Sequence, residues 1–150
     1  MNRFLFLLYL KWHMILMNHN CKFSYRFRVR FEESDPHHHV FNGAYYTYFD
    51  SAITEYFRNL NLLDVLNMYS DKLLYVLKTS ARYYGEVFFD EEIDVFVKAS
   101  YIGTSSIHFK LYVYVVGKNE LKCEGNVIWV CTNRYNGSKA HIDSKIISKI

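Results

Sequence analysis

Proline is almost missing from this chain of 150 residues, which carries one, Pro36. A single proline excludes a Pro-rich linker, and nothing in the composition marks a second module. Cysteine is scarce as well. Cys21, Cys123 and Cys131 form no CxxC and cannot all pair, which argues against a disulfide framework or a zinc knuckle and fits a reducing, cytoplasmic setting. Cys123 and Cys131 fall in a strand pattern with Val127 and Trp129 and read as small buried hydrophobes. An excess of one charge is lacking: 18 basic and 15 acidic residues leave a formal net charge of +3. That is too balanced for nucleic-acid binding by field alone, but it suits an anionic small molecule. Long hydrophobic runs are absent too. Phe4 to Leu10 is broken at Lys11 and resumes only at Met14 to Met17, too short for a stable membrane span. No small-residue cleavage site follows it. Residues 1–20 are read as an extension: first as a mis-assigned start or disordered segment, then as an interfacial anchor, last as a cleaved signal.

Hydrophobic residues are plentiful at 51%, and aromatics reach 19%. Aromatic and β-branched residues favour strands, so a sheet-rich single domain is expected. Phe23, Tyr25, Phe27, Val29 and Phe31 alternate with polar residues, which predicts a half-buried strand over roughly 22–32. Tyr45, Tyr48, Phe49, Ala52, Tyr56, Phe57 and Leu60 recur at three and four, which predicts an amphipathic helix from about Asn42 to Asn61. A connector with a short helical turn follows to Ser70, then a strand from Leu73 to Tyr84. Ile93, Val95, Val97, Ala99 and Tyr101 share one face of the next strand. Ile107 to Val115 and Leu121 to Cys131 repeat the pattern, joined by short turns at Gly103 and Gly117 that make the last three strands antiparallel neighbours. The core is expected over 21–137, and the Lys-rich tail 138–150 is expected to be polar and mobile. One helix cannot cover both faces of such a sheet. The simplest arrangement wraps the sheet around the helix and pairs its open edge with a second copy, a homodimer.

Chemistry concentrates at the seam between the first strand and the helix, in Glu33-Ser34-Asp35-Pro36-His37-His38-His39-Val40-Phe41-Asn42-Gly43-Ala44-Tyr45. A helix start offers free N–H groups and a positive dipole end. Asp35 can act as general base or as nucleophile, or can open a turn before Pro36. His39 can orient Asp35 or share the base role, or is a half-buried loop histidine. Asn42 can hold a water or a carbonyl, and is also a good N-cap. Adjacent extended residues point to opposite sides, so His37, His38 and His39 cannot converge on one ion, and no metal site is expected.

This order and this motif resemble the hotdog-fold thioesterases, nearest the 4-hydroxybenzoyl-CoA thioesterase-like acyl-CoA hydrolases, over about residues 22–135. Their motif reads approximately D-x-D-x-x-G-H-V-N-N-x-x-Y. The segment Phe49-Asp50-Ser51-Ala52-Ile53-Thr54-Glu55-Tyr56-Phe57-Arg58 is similar to the family's F-E-x-A-R-x-E-x-x-R. Three positions depart: Glu33 for Asp, His38 for Gly, and Phe41 for Asn or Tyr. The resemblance implies an α+β hotdog fold, an antiparallel five-stranded sheet around one long central helix. It implies hydrolysis of an acyl-CoA thioester without a cofactor, with Asp35, His39 and Asn42 catalytic and the N–H groups of Asn42 and Gly43 polarising the carbonyl. Phe41, Tyr45, Tyr48 and Phe49 would line the acyl pocket. Arg58 and Arg82 are the candidates for CoA phosphates, with Lys98, Lys110 and Arg134 behind them, and Asp50 is the second candidate base. An acyl carrier protein thioester is the alternative substrate, and a non-catalytic acyl-CoA binding or sensing module is the alternative class. A hotdog dehydratase fits less well, because Asp35-Pro36-His37 lacks that group's Asn-Pro step. The assembly implied is a homodimer, possibly a dimer of dimers forming a homotetramer.

Overall fold

The computed structural model of the protein describes residues 19–66 and 71–150; the expectations for residues 1–18 lie outside that range. The elements run β1 (Phe23–Arg28), α1 (Ala44–Asn59), β2 (Lys72–Tyr83), β3 (Glu92–Ile102), β4 (Ser106–Val115), β5 (Leu121–Asn133) and the short α2 (Ser144–Ile147). The strands form one antiparallel sheet in the order β1-β3-β4-β5-β2. The one long helix among the described residues, α1, packs on it, which is the hotdog arrangement. No described helix is long and apolar enough to cross a membrane.

The core lies between α1 and one face of the sheet. Alternation places Ile93, Val95 and Val97 of β3, Ile107 to Val115 at every second residue of β4, and Cys123, Val127, Trp129 and Cys131 of β5 on that face. The helix answers with Tyr45, Tyr48, Phe49, Ala52, Ile53, Tyr56 and Phe57. Contact is closest at Gly125, where a Cβ would lie 2.6 Å from the Phe49 ring. Further along, Phe57 stacks on Trp129 with ring centroids 5.5 Å apart. At the edge, Arg26 of β1 donates both to Oδ1 and to Oδ2 of its cross-strand neighbour Asp94, each at 2.9 Å.

Three register slips interrupt the sheet, one of them between Val76 and Lys78 of β2, and the other two move residues off the face that strict alternation assigns them. Ala99 faces Phe109, but Tyr101 faces His108. The slip turns Tyr101 to the other side, exposed against the His108 ring. Val113 faces Cys123, but Tyr114 faces Leu121. Leu121 therefore joins Cys21, Phe96, Tyr112 and Tyr114 in a smaller apolar cluster on the far face of the sheet. One extra residue in a ladder flips every later side chain, and composition does not mark where it is inserted. His19 closes that cluster, stacked on Tyr112 at 3.8 Å, with Nε2 2.8 Å from the Tyr114 hydroxyl.

Two other expectations are corrected. The first strand stops at Arg28, not near Glu32. Arg30 to Glu33 turns instead, with the Arg30 N–H donating to Glu33 Oε2 at 2.7 Å, and Phe31 is left 81% exposed. The tail after Asn136 is docked, not mobile. Its polar composition hides Ala140, Ile142 and Ile146, which pack against the core. The N–H of Ala140 donates to Cys131 O at 3.0 Å, and that of Ile142 to Thr104 O at 2.9 Å. All three cysteines are free and buried. Burial pushes the Cys21 thiol up to about 11 and Cys123 up to about 12, so both are neutral thiols near neutral pH.

The Phe49 ring is fully buried and has nowhere to retreat. Gly125→Ala is therefore expected to cost about 1–3 kcal/mol by overpacking, read as a lower denaturant midpoint at unchanged slope.

Candidate active site

The motif folds as a small hairpin. Ser34 and Val40 form an antiparallel bridge. The Asp35 N–H donates to His39 O at 3.0 Å, and the Phe41 N–H to Glu33 O at 2.8 Å. Between these rungs the His38 N–H donates to Asp35 O at 2.9 Å, which closes a β-turn. Pro36 stands second in that turn, where its fixed φ is suited. Asp35 stands first and accepts the His37 N–H on Oδ1 at 2.8 Å. His38 has φ +66°, the left-handed region that such loops usually give to glycine. This explains the glycine in the family's motif at this position; histidine there costs about 1–2 kcal/mol of backbone strain.

The turn leaves one Asp35 oxygen for other contacts. Oδ1 closes the turn, and Oδ2 stands 3.6 Å from His39 Nδ1. That nitrogen also lies 3.3 Å from Val40 O. Two oxygens around Nδ1 favour its protonated tautomer and leave Nε2 as the acceptor. The hairpin is seated from outside as well: the Val40 N–H donates to Val87 O at 2.8 Å, and His39 bridges to Phe88.

Directly after the hairpin, α1 begins. Asn42 does not cap it. Gly43 occupies the cap position with helical φ −66° and ψ −28° and no side-chain cap. The Ala44 N–H donates to Phe41 O at 2.9 Å, so a main-chain turn takes the place of a capping amide. Among the described residues, no acceptor is found for the N–H of Asn42 or of Gly43. The Tyr83 hydroxyl donates to Asn42 O at 3.1 Å, tying the end of β2 to the helix start.

These pieces enclose a cavity of about 460 Å³, lined by Asp35, His39, Val40, Asn42, Tyr45, Tyr83, Gly85 and Glu86. Its size suits a small-molecule site, and its walls mix apolar surface with a few convergent polar groups. Burial keeps the Tyr45 phenol well above its ordinary range. Burial, with Tyr46 and Cys123 nearby, pushes Tyr83 up to about 12. Both hydroxyls are therefore neutral donors at working pH.

Asp35, His39, Asn42 and Tyr45 thus line one cavity. Six other candidates are placed elsewhere. Tyr48 and Phe49 are core residues at 2% and 0% exposure, not pocket walls. A periodic pattern finds the buried face of a helix but not which buried residue meets a cavity. Phe41 is half exposed, and its ring covers Gly43, where a Cβ would lie 2.4 Å from it. Asp50 is exposed on α1 and lines no part of the cavity. Arg58 pairs with Glu55 at the far end of α1, about 21 Å along the axis from Ala44. Arg82 lies beside the site in sequence, but its guanidinium sits over the Tyr84 ring at 5.5 Å. Its side chain leaves β2 on the face opposite Tyr83. Tyr83, Gly85 and Glu86 carry no sequence signal, because they reach the site through long-range pairings: Tyr83 through β2 on β5, and Gly85 and Glu86 beside residues 87 and 88, which pair with the hairpin.

A thioesterase-like superfamily model matches residues 29–150. The chain belongs to that superfamily. Solved structures agree on the fold. A 1,4-dihydroxy-2-naphthoyl-CoA thioesterase from Synechocystis is 14% identical and superposes at a TM-score of 0.80, with 85% of this chain and 94% of that one covered. A DHNA-CoA thioesterase from Staphylococcus aureus is 18% identical at 0.74, covering 83% of each chain. A gentisyl-coenzyme A thioesterase is 17% identical at 0.72, covering 85% and 98%. No curated protein matches the sequence. Membership in this superfamily supports thioester hydrolysis in general.

His38 supplies a direct test of the turn. His38→Gly is expected to leave stability unchanged or raise it by up to about 1 kcal/mol, whereas His38→Val, β-branched at positive φ, is expected to lower it by about 1–2 kcal/mol. Thermal melts of the two variants read the difference.

Proposed function

We propose that the protein is an acyl-CoA thioesterase that hydrolyses its substrate to a free carboxylate and CoA. One arrangement carries this proposal: the Asp35 carboxylate and His39 sit on the cavity wall beside the start of α1, where the N–H groups of Asn42 and Gly43 find no acceptor among the described residues. The thioester carbonyl would sit at the N–H groups of Asn42 and Gly43. Oxyanion donors of this kind contribute about 3 kcal/mol each to lowering the barrier. Asp35 would take a proton from an attacking water, or attack the carbonyl itself to give a mixed anhydride that water then opens. His39, whose Nδ1 lies 3.3 Å from Val40 O and 3.6 Å from Asp35 Oδ2, would orient the carboxylate. Thiolate leaves without strong acid assistance. Tyr45 and Val40 offer the acyl group an apolar, aromatic wall. The named activities of the structural relatives, all CoA thioesters, favour CoA over an acyl carrier protein as the carrier. No metal or cofactor enters these steps. Three free cysteines fit a reducing compartment, the cytoplasm.

A panel of aromatic and aliphatic acyl-CoAs, with a thiol-detecting reagent, tests the proposal. Wild type is expected to turn over at least one member, and Asp35→Ala to lose about a hundredfold or more in kcat. Wild type that binds acyl-CoA without turnover would point to a sensing module. Full activity in Asp35→Ala would sink the site assignment. Label recovered in Asp35 after single turnover in isotopically labelled water would establish the anhydride route, with water opening the anhydride at the Asp35 carboxyl carbon.

We also propose that the active form is a homodimer formed across β2. This strand is a sheet edge, and Tyr75, Val76 and Leu77 stand exposed along it, with a bulge between Val76 and Lys78. An unpaired apolar edge invites a second copy. The cavity opens near the end of the same strand, so a partner there would wall it. Sizing and light scattering are expected to give a dimer, or a dimer of dimers, and Leu77→Lys to shift it toward monomer with loss of activity. A wild-type monomer with full activity would rule this assembly out.

A further inference from the structure

We propose that Glu33 is a positioning residue: held by the Tyr48 hydroxyl, its carboxylate locks the Asp35 hairpin onto the first turns of α1. This rests on the thioesterase assignment above and names a residue that the reaction would need without touching the substrate.

Glu33 stands where the hairpin closes. Its main-chain carbonyl accepts the Phe41 N–H, the last rung, at 2.8 Å. Its side chain is buried, and both oxygens are engaged. Oε2 accepts the Arg30 N–H at 2.7 Å and the Tyr48 hydroxyl at 2.7 Å. Oε1 accepts from the Arg30 guanidinium at 3.0 and 3.3 Å. Tyr48 lies in the second turn of α1 and is itself buried, its ring set by Phe27 at 5.2 Å and Tyr45 at 5.9 Å. Burial, with the Glu33 carboxylate second, keeps its phenol far above the ordinary range, so it remains the donor throughout the working pH.

A carboxylate is buried at a cost that only a full set of donors offsets. Here the donors come from two directions, Arg30 in the chain leaving β1 and Tyr48 of α1, while the hairpin base is tied through the Glu33 main-chain carbonyl. Asp35 is two residues from Glu33, and Asn42 is one residue from Phe41. Any shift at this junction moves the carboxylate relative to the helix-start N–H groups, and chemistry of this kind loses about a hundredfold for a displacement near 1 Å. Glutamate is one methylene longer than the aspartate of the family's motif, which sets the span from hairpin to helix in this chain.

The test uses the full chain with Tyr48→Phe, Glu33→Gln and the double variant. Two quantities are read: steady-state constants on the best acyl-CoA of the panel, and backbone amide exchange over residues 33–42. Each single variant is expected to lower kcat about tenfold or more. KM should stay within about twofold, and the double variant should be no worse than the worse single, because the two groups act as one unit. Exchange is expected to rise over residues 33–42 and to stay unchanged in β3, β4 and β5. If Glu33→Gln fails to fold, Tyr48→Phe, which removes one hydroxyl, carries the test alone. Unchanged exchange over 33–42 in Tyr48→Phe overturns the proposal. So does a loss that falls on KM with kcat intact, or two losses that multiply. Exchange needs no turnover. A chain that hydrolyses nothing, yet opens over 33–42 in Tyr48→Phe, would sink the thioesterase assignment and leave the clamp standing.

Discussion

The seat of α1 on the sheet governs the rest of the molecule. Gly125 has no side chain, and the Phe49 ring occupies the space that a Cβ would take. Eight residues on, Phe57 lies flat on Trp129. Contacts this close, made by fully buried rings, leave the helix little freedom to slide or roll, because interiors pack at crystal density. With the axis held, the start of α1 is delivered to the end of β2. The Tyr83 hydroxyl meets the Asn42 carbonyl there, and the cavity opens between them. The candidate site is thus a consequence of helix seating as much as of the motif itself.

Within that frame the hairpin uses the same atoms twice. Asp35 starts the turn because its carboxylate accepts a main-chain N–H two residues on, and that bond is also what aims the second oxygen at His39. The arrangement carries costs: a histidine at positive φ, a largely buried carboxylate in Asp35 and a second buried acid in Glu33. Strain and buried charge concentrated in nine residues persist only where surrounding contacts over-determine the geometry. Those contacts come from the Val87 carbonyl, the Phe88 bridge, Arg30 and Tyr48. Sites where local rules are broken are where function is expected.

Much of this was legible before any coordinates. Strict period two over Ile93–Val97 and Ile107–Val115 located the core face of two strands, since a strand with one buried side has no other way to satisfy water. The three-and-four spacing from Tyr45 to Phe57 located the helix. Asp35 and His39 stood out because a strand–helix seam is a poor place to put polar groups without a use for them. Tyr101 and Leu121 were misplaced, because a single inserted residue reverses the alternation and leaves no compositional trace. Tyr48 and Phe49 were taken for pocket walls because a helical wheel has no depth coordinate. Ala140, Ile142 and Ile146 were hidden among lysines and serines, where a mean composition is polar and two buried isoleucines with a half-buried alanine are not.

By itself, the sequence determined what is local: element type, the apolar faces, and the turn that Asp35, Pro36 and the residue at position 38 make together. These follow from bonds and contacts between residues a few positions apart. Only the tertiary structure decided which long-range partners complete the site. Tyr83 and Glu86 reach the cavity across 40 residues and more of intervening chain, Val87 seats the hairpin, and Glu33 finds Tyr48. Such meetings depend on how a helix and a sheet settle against each other, which is set by the fit of all their side chains at once, and no stretch of the sequence carries that sum.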